Sequence, residues 1–138
     1  MSATFSDVQD LAMTPNNELL VADYGWSCIR KISTGQVSSL TGHNPGVSIS
    51  GTNKDGPVTD ARINRPQHLS LCNAGIYFTD YGGVRLLRPG QDVQTLRPDY
   101  SVVHRSGANS VAVEASADGG TVYESQGNAI YKYTVKLN

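Results

Sequence analysis

The sequence predicts an all-β repeat protein built from antiparallel meanders. A short apolar run that ends in a polar residue and a glycine occurs at residues 19–25 (LLVADYG), 76–82 (IYFTDYG) and, in weaker form, 121–127 (TVYESQG). Each run is typical of a strand that enters a tight turn, and recurrence at this spacing indicates a repeat architecture. The composition agrees, because 14 glycines and a charged fraction of 17% suit strands and turns better than helices.

The first repeat is preceded by part of a linker. Residues 3–13 align without a gap with residues 61–71, and both place an alanine, an apolar residue and a polar residue ahead of a strand. We therefore expect the sequence to begin inside a repeat. Turns rich in Pro, Asn and Gly then separate four predicted strands. These strands are residues 10–13, 18–22, 28–33 and 36–41.

A long polar connection, from Gly42 to Arg65, separates the first repeat from the second. Loops of this length without secondary structure are uncommon inside a compact domain. We expect an ordered linker anchored by Ala61 and Ile63, with a binding role for the connection as the alternative. Strands are predicted at 68–72, 75–79, 84–88 and 92–97 in the second repeat, and at 110–115, 121–125 and 129–135 in the third.

The pattern resembles the NHL repeat. The matching motifs are residues 20–25 (LVADYG) followed by 29–32 (IRKI), and 54–56 (KDG) followed by 61–66 (ARINRP). NHL repeats form the four-stranded blades of β-propellers. The resemblance covers nearly all of the chain and implies a β-propeller segment of three four-stranded antiparallel blades, the last one incomplete. The implied division is blade 1 at about 8–42, a linker at 43–65, blade 2 at about 66–98 and blade 3 at about 108–138.

Three blades are fewer than the four to eight that usually close a propeller. Stacked meanders would leave an apolar face open at each end, and the strand at 129–135 would present an unpaired edge. The sequence begins inside a repeat and ends before the fourth strand of the third blade. We therefore expect part of a larger propeller. Self-association of two chains into one ring is the alternative. In both cases the expected partner is a protein.

The innermost strand of each repeat begins with a polar residue where the family pattern has glycine. These residues are Asp10, His68 and Ser110. The resemblance implies that this position lies near the mouth of the central channel, where Asp and His can bind a metal or move a proton. Some propellers with such repeats are metal-dependent lyases or lactonases, which makes an enzyme of that kind the alternative function. We favour a structural role in capping turns and bonding neighbouring blades, and predict no metal and no cofactor.

The turns after the second strand of each repeat form the other candidate site. Tyr24, Trp26 and Tyr81 lie on these turns, and Arg30 and Arg85 follow in the next strand. Exposed aromatic residues beside arginines suit a peptide or single-stranded RNA. The net charge of -1 argues against nucleic acid. We therefore expect a protein-binding scaffold rather than an enzyme, with RNA binding as a further alternative.

Four residues with reactive side chains are expected to be structural. Asp23 and Asp80 each precede Tyr-Gly and should accept hydrogen bonds from backbone N–H groups of the turn. Cys28 and Cys72 are interpreted as unpaired core residues, which favours a reducing, cytoplasmic compartment. No apolar run reaches the length of a membrane span, so no membrane partner is expected.

Overall fold

The computed structural model describes residues 3–41, 53–96 and 112–136, and all of the regular secondary structure in these ranges is β-strand. Twelve strands form three antiparallel sheets of four, five and three strands. The predicted all-β segment of antiparallel propeller blades is therefore confirmed, in an arrangement that does not close into a ring within these ranges. The described residues contain no helix that could cross a membrane.

The first sheet, blade 1, is a meander in which each strand pairs with the next along the chain. Leu20, Ala22 and Ile29 belong to the hydrophobic core, and the register places Leu19 opposite Ile32 and Asp23 opposite Cys28. The last hairpin turns at Thr34-Gly35, where both residues have positive φ, as a two-residue hairpin requires. The strands are β1 (Val8–Met13), β2 (Leu19–Asp23), β3 (Cys28–Ser33) and β4 (Gln36–Ser39).

The second sheet, blade 2, contains one strand more than the sequence predicts. Gly56–Pro57, inside the long polar connection, forms a short strand that pairs with the outermost strand of the blade. The predicted anchors Ala61 and Ile63 are buried. The order is β5-β9-β8-β7-β6. The strands are β5 (Gly56–Pro57), β6 (Leu69–Cys72), β7 (Gly75–Asp80), β8 (Gly83–Arg88) and β9 (Asp92–Thr95).

The third sheet, blade 3, has three strands within the described residues, in the order β10-β11-β12. They are β10 (Val113–Ala115), β11 (Thr121–Gln126) and β12 (Ala129–Thr134). The residues predicted to begin the first of these strands, Ser110 among them, lie outside the described ranges.

Two hydrophobic clusters hold the blades side by side. One joins blade 1, blade 2 and the linker through residues such as Ile29, Ile63 and Phe78. The other joins blades 2 and 3 through residues such as Tyr77 and Val122. The middle blade is thus buried on both faces, whereas each outer blade exposes apolar side chains. The exposed large hydrophobic residues are Val8, Leu11 and Met13 on blade 1, Tyr81 on the turn face, and Tyr123 and Ile130 on blade 3.

Candidate functional site

Two of the predicted binding residues meet on the turn face between blades 1 and 2. Tyr24 follows β2 and Tyr81 follows β7, at equivalent positions of their repeats. Their hydroxyl oxygens are 2.9 Å apart, and the rings meet edge to face with centroids 6.3 Å apart. This geometry is one that aromatic pairs prefer. Because Tyr81 is 51% exposed, the pair is accessible to a partner.

Arg65 completes this group, which we call the tyrosine–arginine cluster (Tyr24, Arg65 and Tyr81). Its guanidinium carbon lies 5.4 Å from the ring centroid of Tyr24 and 5.3 Å from that of Tyr81, within the range of a cation–π interaction. Its Nη1 also donates a hydrogen bond of 3.2 Å to the Tyr81 hydroxyl. The Arg65 side chain is exposed, so the cluster presents a cation and two phenols to solvent.

The backbone fixes where Arg65 points. Arg65 has φ of 57° and its N–H donates to Ser27 Oγ at 3.2 Å, which ties the linker to the turn of blade 1. Asp7, which aligns with Arg65, has φ of 63°. Sequence analysis missed Arg65 as a site residue. The available signal was its position at the end of the linker, immediately before Pro66, but nothing in the sequence indicates a left-handed backbone at an arginine.

Hydrogen bonding within the cluster separates the acidities of the two tyrosines. The hydrogen bond with Tyr81 raises the pKa of Tyr24. Hydrogen bonds from Tyr24 and Arg65 lower the pKa of Tyr81. Either tyrosine hydroxyl can be the donor in the hydrogen bond between them, whereas Arg65 donates to the Tyr81 oxygen.

Trp26 does not join the cluster. Its side chain is partly buried, its backbone N–H lies 3.4 Å from Asp23 Oδ1, and its indole N–H is buried without a hydrogen-bond partner among the described residues.

Arg30 and Arg85, the two arginines that the sequence predicts as binding residues, are both buried. Arg30 is 5% exposed and Arg85 is fully buried. Arg85 donates to the Asp80 carboxylate at 2.9 Å, to the carbonyl oxygens of Arg62 and Lys54 at 2.7 and 3.0 Å, and to Asp55 at 2.9 Å. An arginine with this many internal acceptors fastens the linker onto blade 2 and is not available to a ligand. Arg30 donates from Nη1 to the carbonyl oxygen of Thr4 at 2.6 Å, which is the equivalent contact in blade 1.

The structural roles expected of Asp23 and Asp80 are confirmed. Asp23 accepts the N–H group of Ser6 at 3.0 Å, and Asp80 accepts those of Asn64 and Gly82 at 3.1 and 2.7 Å. Burial raises the pKa of both carboxyl groups, although these hydrogen bonds and the neighbouring arginines act in the opposite direction. Each aspartate therefore links a turn, a linker and an arginine. The two cysteines are free, and Cys28 is buried.

The channel-mouth candidates bond to neighbouring strands. Asp10 accepts the N–H of Leu69 at 2.8 Å, across the boundary between blades 1 and 2, and also that of Leu11 at 2.9 Å. The backbone N–H of His68 donates to Thr79 Oγ1 at 3.3 Å. Ser110 lies outside the described ranges. In those ranges no group of three or more His, Cys, Asp or Glu side chains is arranged to hold a metal ion.

Comparison with solved structures supports the fold. The chain is similar to a structural genomics protein of unknown function from Bacteroides thetaiotaomicron VPI-5482, with a TM-score of 0.65 and 18% sequence identity. The similarity covers 88% of this chain and 33% of that protein, so this chain spans about a third of its length. Comparisons with protein families and with curated proteins give no match. The similarity shows the all-β fold and assigns no activity.

Proposed function

We propose that this chain is an NHL-type propeller segment that serves as a protein-binding scaffold, with the tyrosine–arginine cluster as its recognition surface. The observation that carries the proposal is that an exposed Tyr81 and an exposed Arg65 converge at the junction of two blades. Tyrosine and arginine are among the residue types enriched at binding hot spots. Two blades hold the cluster, so its geometry is fixed before a partner arrives.

The open ends of the segment support a second role for protein contacts. Exposed apolar side chains lie on blade 1 and on blade 3, where a closed propeller would have neighbouring blades. We propose that further blades, or another chain, cover these faces to complete the ring. No observation on the described residues favours the metal-dependent enzyme or the RNA-binding alternative.

A capture experiment with matched variants tests the recognition surface. Tyr81→Ala and Arg65→Ala remove exposed members of the cluster. Tyr123→Ala is the control, because Tyr123 is 42% exposed and also lies beside a cation, with Lys132 Nζ 5.9 Å from its ring centroid. Partners captured by the unaltered chain are identified and then assayed one by one with each purified variant.

We expect the two cluster variants to lose at least roughly tenfold in affinity and the control to bind as the unaltered chain does. Retention of binding by Tyr81→Ala and Arg65→Ala would contradict the proposal. Loss in the control alone would assign the captured protein to the end face of blade 3 instead. Circular dichroism of each variant establishes that the fold is intact.

A further inference from the structure

The tyrosine–arginine cluster carries a positive charge that no carboxylate neutralises within the described residues. By contrast, Arg88 at the surface of blade 2 pairs with Asp92 at 2.6 Å. The groups that bond to Arg65 are neutral, because hydrogen bonds with the phenols of Tyr81 and Tyr24 are what raise its pKa. The cluster therefore presents a full charge without a counterion.

The guanidinium group of Arg65 also has donors to spare. It carries five N–H groups, of which one on Nη1 donates to the Tyr81 hydroxyl at 3.2 Å. Two phenol oxygens are too few acceptors for five donors, so N–H groups remain for a ligand. Two such groups in parallel match the two oxygens of a carboxylate, which is the pairing that distinguishes arginine from lysine.

The protein fixes this cation in place before a ligand arrives. The guanidinium carbon lies over both tyrosine rings, and the backbone N–H of Arg65 donates to Ser27 Oγ. These neutral contacts hold the side chain without cancelling its charge, so less conformational entropy is lost on binding than at an isolated surface arginine. The elements that form the junction are the turns of blades 1 and 2 and the last part of the linker, all within the described ranges.

We propose that the tyrosine–arginine cluster binds an aspartate or glutamate side chain in an exposed segment of the partner protein, with the carboxylate accepting hydrogen bonds from Arg65. This inference rests on the proposed function, since it names the chemistry that the same surface recognises. Hydrogen bonds between ionised groups are roughly twice as strong as those between neutral groups, which favours a carboxylate over an amide. The exposed ring of Tyr81 offers apolar surface to the methylene groups of the same side chain.

Three blocked peptides provide the probe. Acetyl-Ala-Glu-Ala amide and its Gln analogue differ in charge alone, and acetyl-Ala-Ala-Ala with a free C-terminus carries its carboxylate at the chain end. Each is titrated at constant ionic strength into the isotope-labelled chain, up to about 0.5 M because a single ion pair at the surface is weak. The NMR signal of the Arg65 Nε–H group reports binding.

We expect a saturable shift of Arg65 with the glutamate peptide, and binding of the glutamine peptide that is weaker by roughly fivefold or more. The terminal carboxylate should bind less tightly than the glutamate peptide, because it lacks methylene groups to place on Tyr81. Arg88 is an internal control, since its pairing with Asp92 should leave its own Nε–H signal less affected at the same peptide concentration.

Protein variants test the role of the guanidinium group, with the backbone amide of residue 81 as the signal. Arg65→Gln should abolish the preference for the glutamate peptide. Arg65→Lys keeps the charge but loses the paired donors, and should weaken binding roughly threefold or more. Lys132→Gln removes another exposed cation beside a tyrosine and should bind as the unaltered chain does.

A further variant tests whether the chain supplies its own carboxylate. Outside the described ranges, residues 42–52 contain no acidic side chain and residues 97–111 contain one, Asp99. Asp99→Asn should leave the Arg65 signal of the free chain and the affinity for the glutamate peptide unchanged. A shifted Arg65 signal together with tighter peptide binding would assign the site to Asp99 and overturn the proposal.

The proposal is also overturned by equal binding of the glutamate and glutamine peptides, by tighter binding of the terminal carboxylate, or by equal shifts at Arg65 and Arg88. Its failure is distinguishable from failure of the proposed function. If captured partners still require Arg65 and Tyr81, the cluster remains the recognition surface for a different chemistry. If capture is unaffected by Arg65→Ala and Tyr81→Ala, the proposed function fails as well.

Discussion

Blades 1 and 2 contain the same aspartate–arginine pair in different surroundings. In blade 2 both side chains are fully buried, Asp80 and Arg85 are 2.9 Å apart, and the arginine reaches three further acceptors. In blade 1 the separation between Asp23 and Arg30 is 3.9 Å, and Arg30 stacks on the Phe5 ring at 4.9 Å. The repeated sequence supplies the pair, whereas the linker segment beside each blade determines how well the arginine is satisfied.

The largest expected difference is the response to loss of the arginine. Arg85→Met leaves Asp80 buried without its counterion and should lower the free energy of unfolding by about 3–5 kcal/mol. Arg30→Met removes one hydrogen bond and a longer ion pair, and should cost about 1–2 kcal/mol. Urea denaturation of both variants measures the difference. Equal losses would show that the additional acceptors around Arg85 contribute nothing.

Substitution of the equivalent glycines, Gly25 and Gly82, should show the opposite order, with the larger loss of stability in blade 1. A Cβ on Gly25 would lie 2.3 Å from the backbone oxygen of Ser6, so Gly25→Ala should cost about 1–3 kcal/mol because the backbone must move. A Cβ on Gly82 would instead meet the Asn53 side chain, 1.8 Å from its amide nitrogen. That side chain can move without a shift of the backbone but gives up its hydrogen bond to Asp80 (3.2 Å), so Gly82→Ala should cost about 1 kcal/mol, less than Gly25→Ala. Thermal denaturation ranks the two variants, and the reverse ranking would contradict the contacts described for these turns.

The stability that Asp55 contributes through its hydrogen bonds to Thr95 and Arg85 in blade 2 should fall in acid. Burial acts to raise the pKa of Asp55, but hydrogen bonds from Thr95 and Arg85 outweigh it and hold the pKa below its usual range. A depressed folded-state pKa adds stability at pH values above the unfolded-state pKa, and this stability is lost as the pH falls through the folded-state value. Asp55→Asn should therefore cost about 1 kcal/mol at neutral pH, since Asp55 is partly exposed.

The difference between Asp55→Asn and the unaltered chain should shrink as the pH falls below about 4. Urea denaturation at a series of pH values measures this. A pH-independent difference would mean that the charge of Asp55 is irrelevant. The pKa of Asp80 is shifted in the opposite direction, because burial raises it. Ionisation of Asp80 therefore costs folding free energy at neutral pH, and acidification removes this cost.

The smallest effect belongs to the exposed cluster. Tyr81→Phe removes a hydroxyl that is hydrogen-bonded to Tyr24 and accepts from Arg65, and it should change stability by less than about 0.5 kcal/mol because the site is at the surface. It should lower the pKa of Tyr24, whose hydrogen bond to Tyr81 raises it. Ultraviolet titration of the phenols detects this shift. An unchanged Tyr24 titration would show that the two hydroxyl groups are not bonded in solution.

The repeats made the meanders, the turns and the meeting of Tyr24 with Tyr81 predictable, because equivalent positions of adjacent blades lie side by side. The alignment of residues 3–13 with 61–71 also has a direct structural counterpart, since Thr4 and Arg62 offer their carbonyl oxygens to Arg30 and Arg85. The sequence did not indicate that these arginines are buried, because arginine in a strand usually faces solvent. The two-residue strand β5 was missed because Gly-Pro has no alternating pattern.

Paired double-mutant cycles test the central comparison most directly. Asp80→Asn and Arg85→Gln form one cycle, and Asp23→Asn and Arg30→Gln form the other, with unfolding free energies measured for all single and double variants. We predict a coupling energy of about 2–3 kcal/mol in blade 2 and less than about 1 kcal/mol in blade 1. Equal couplings, or a larger one in blade 1, would contradict the conclusion that the linker segment sets the strength of each pair.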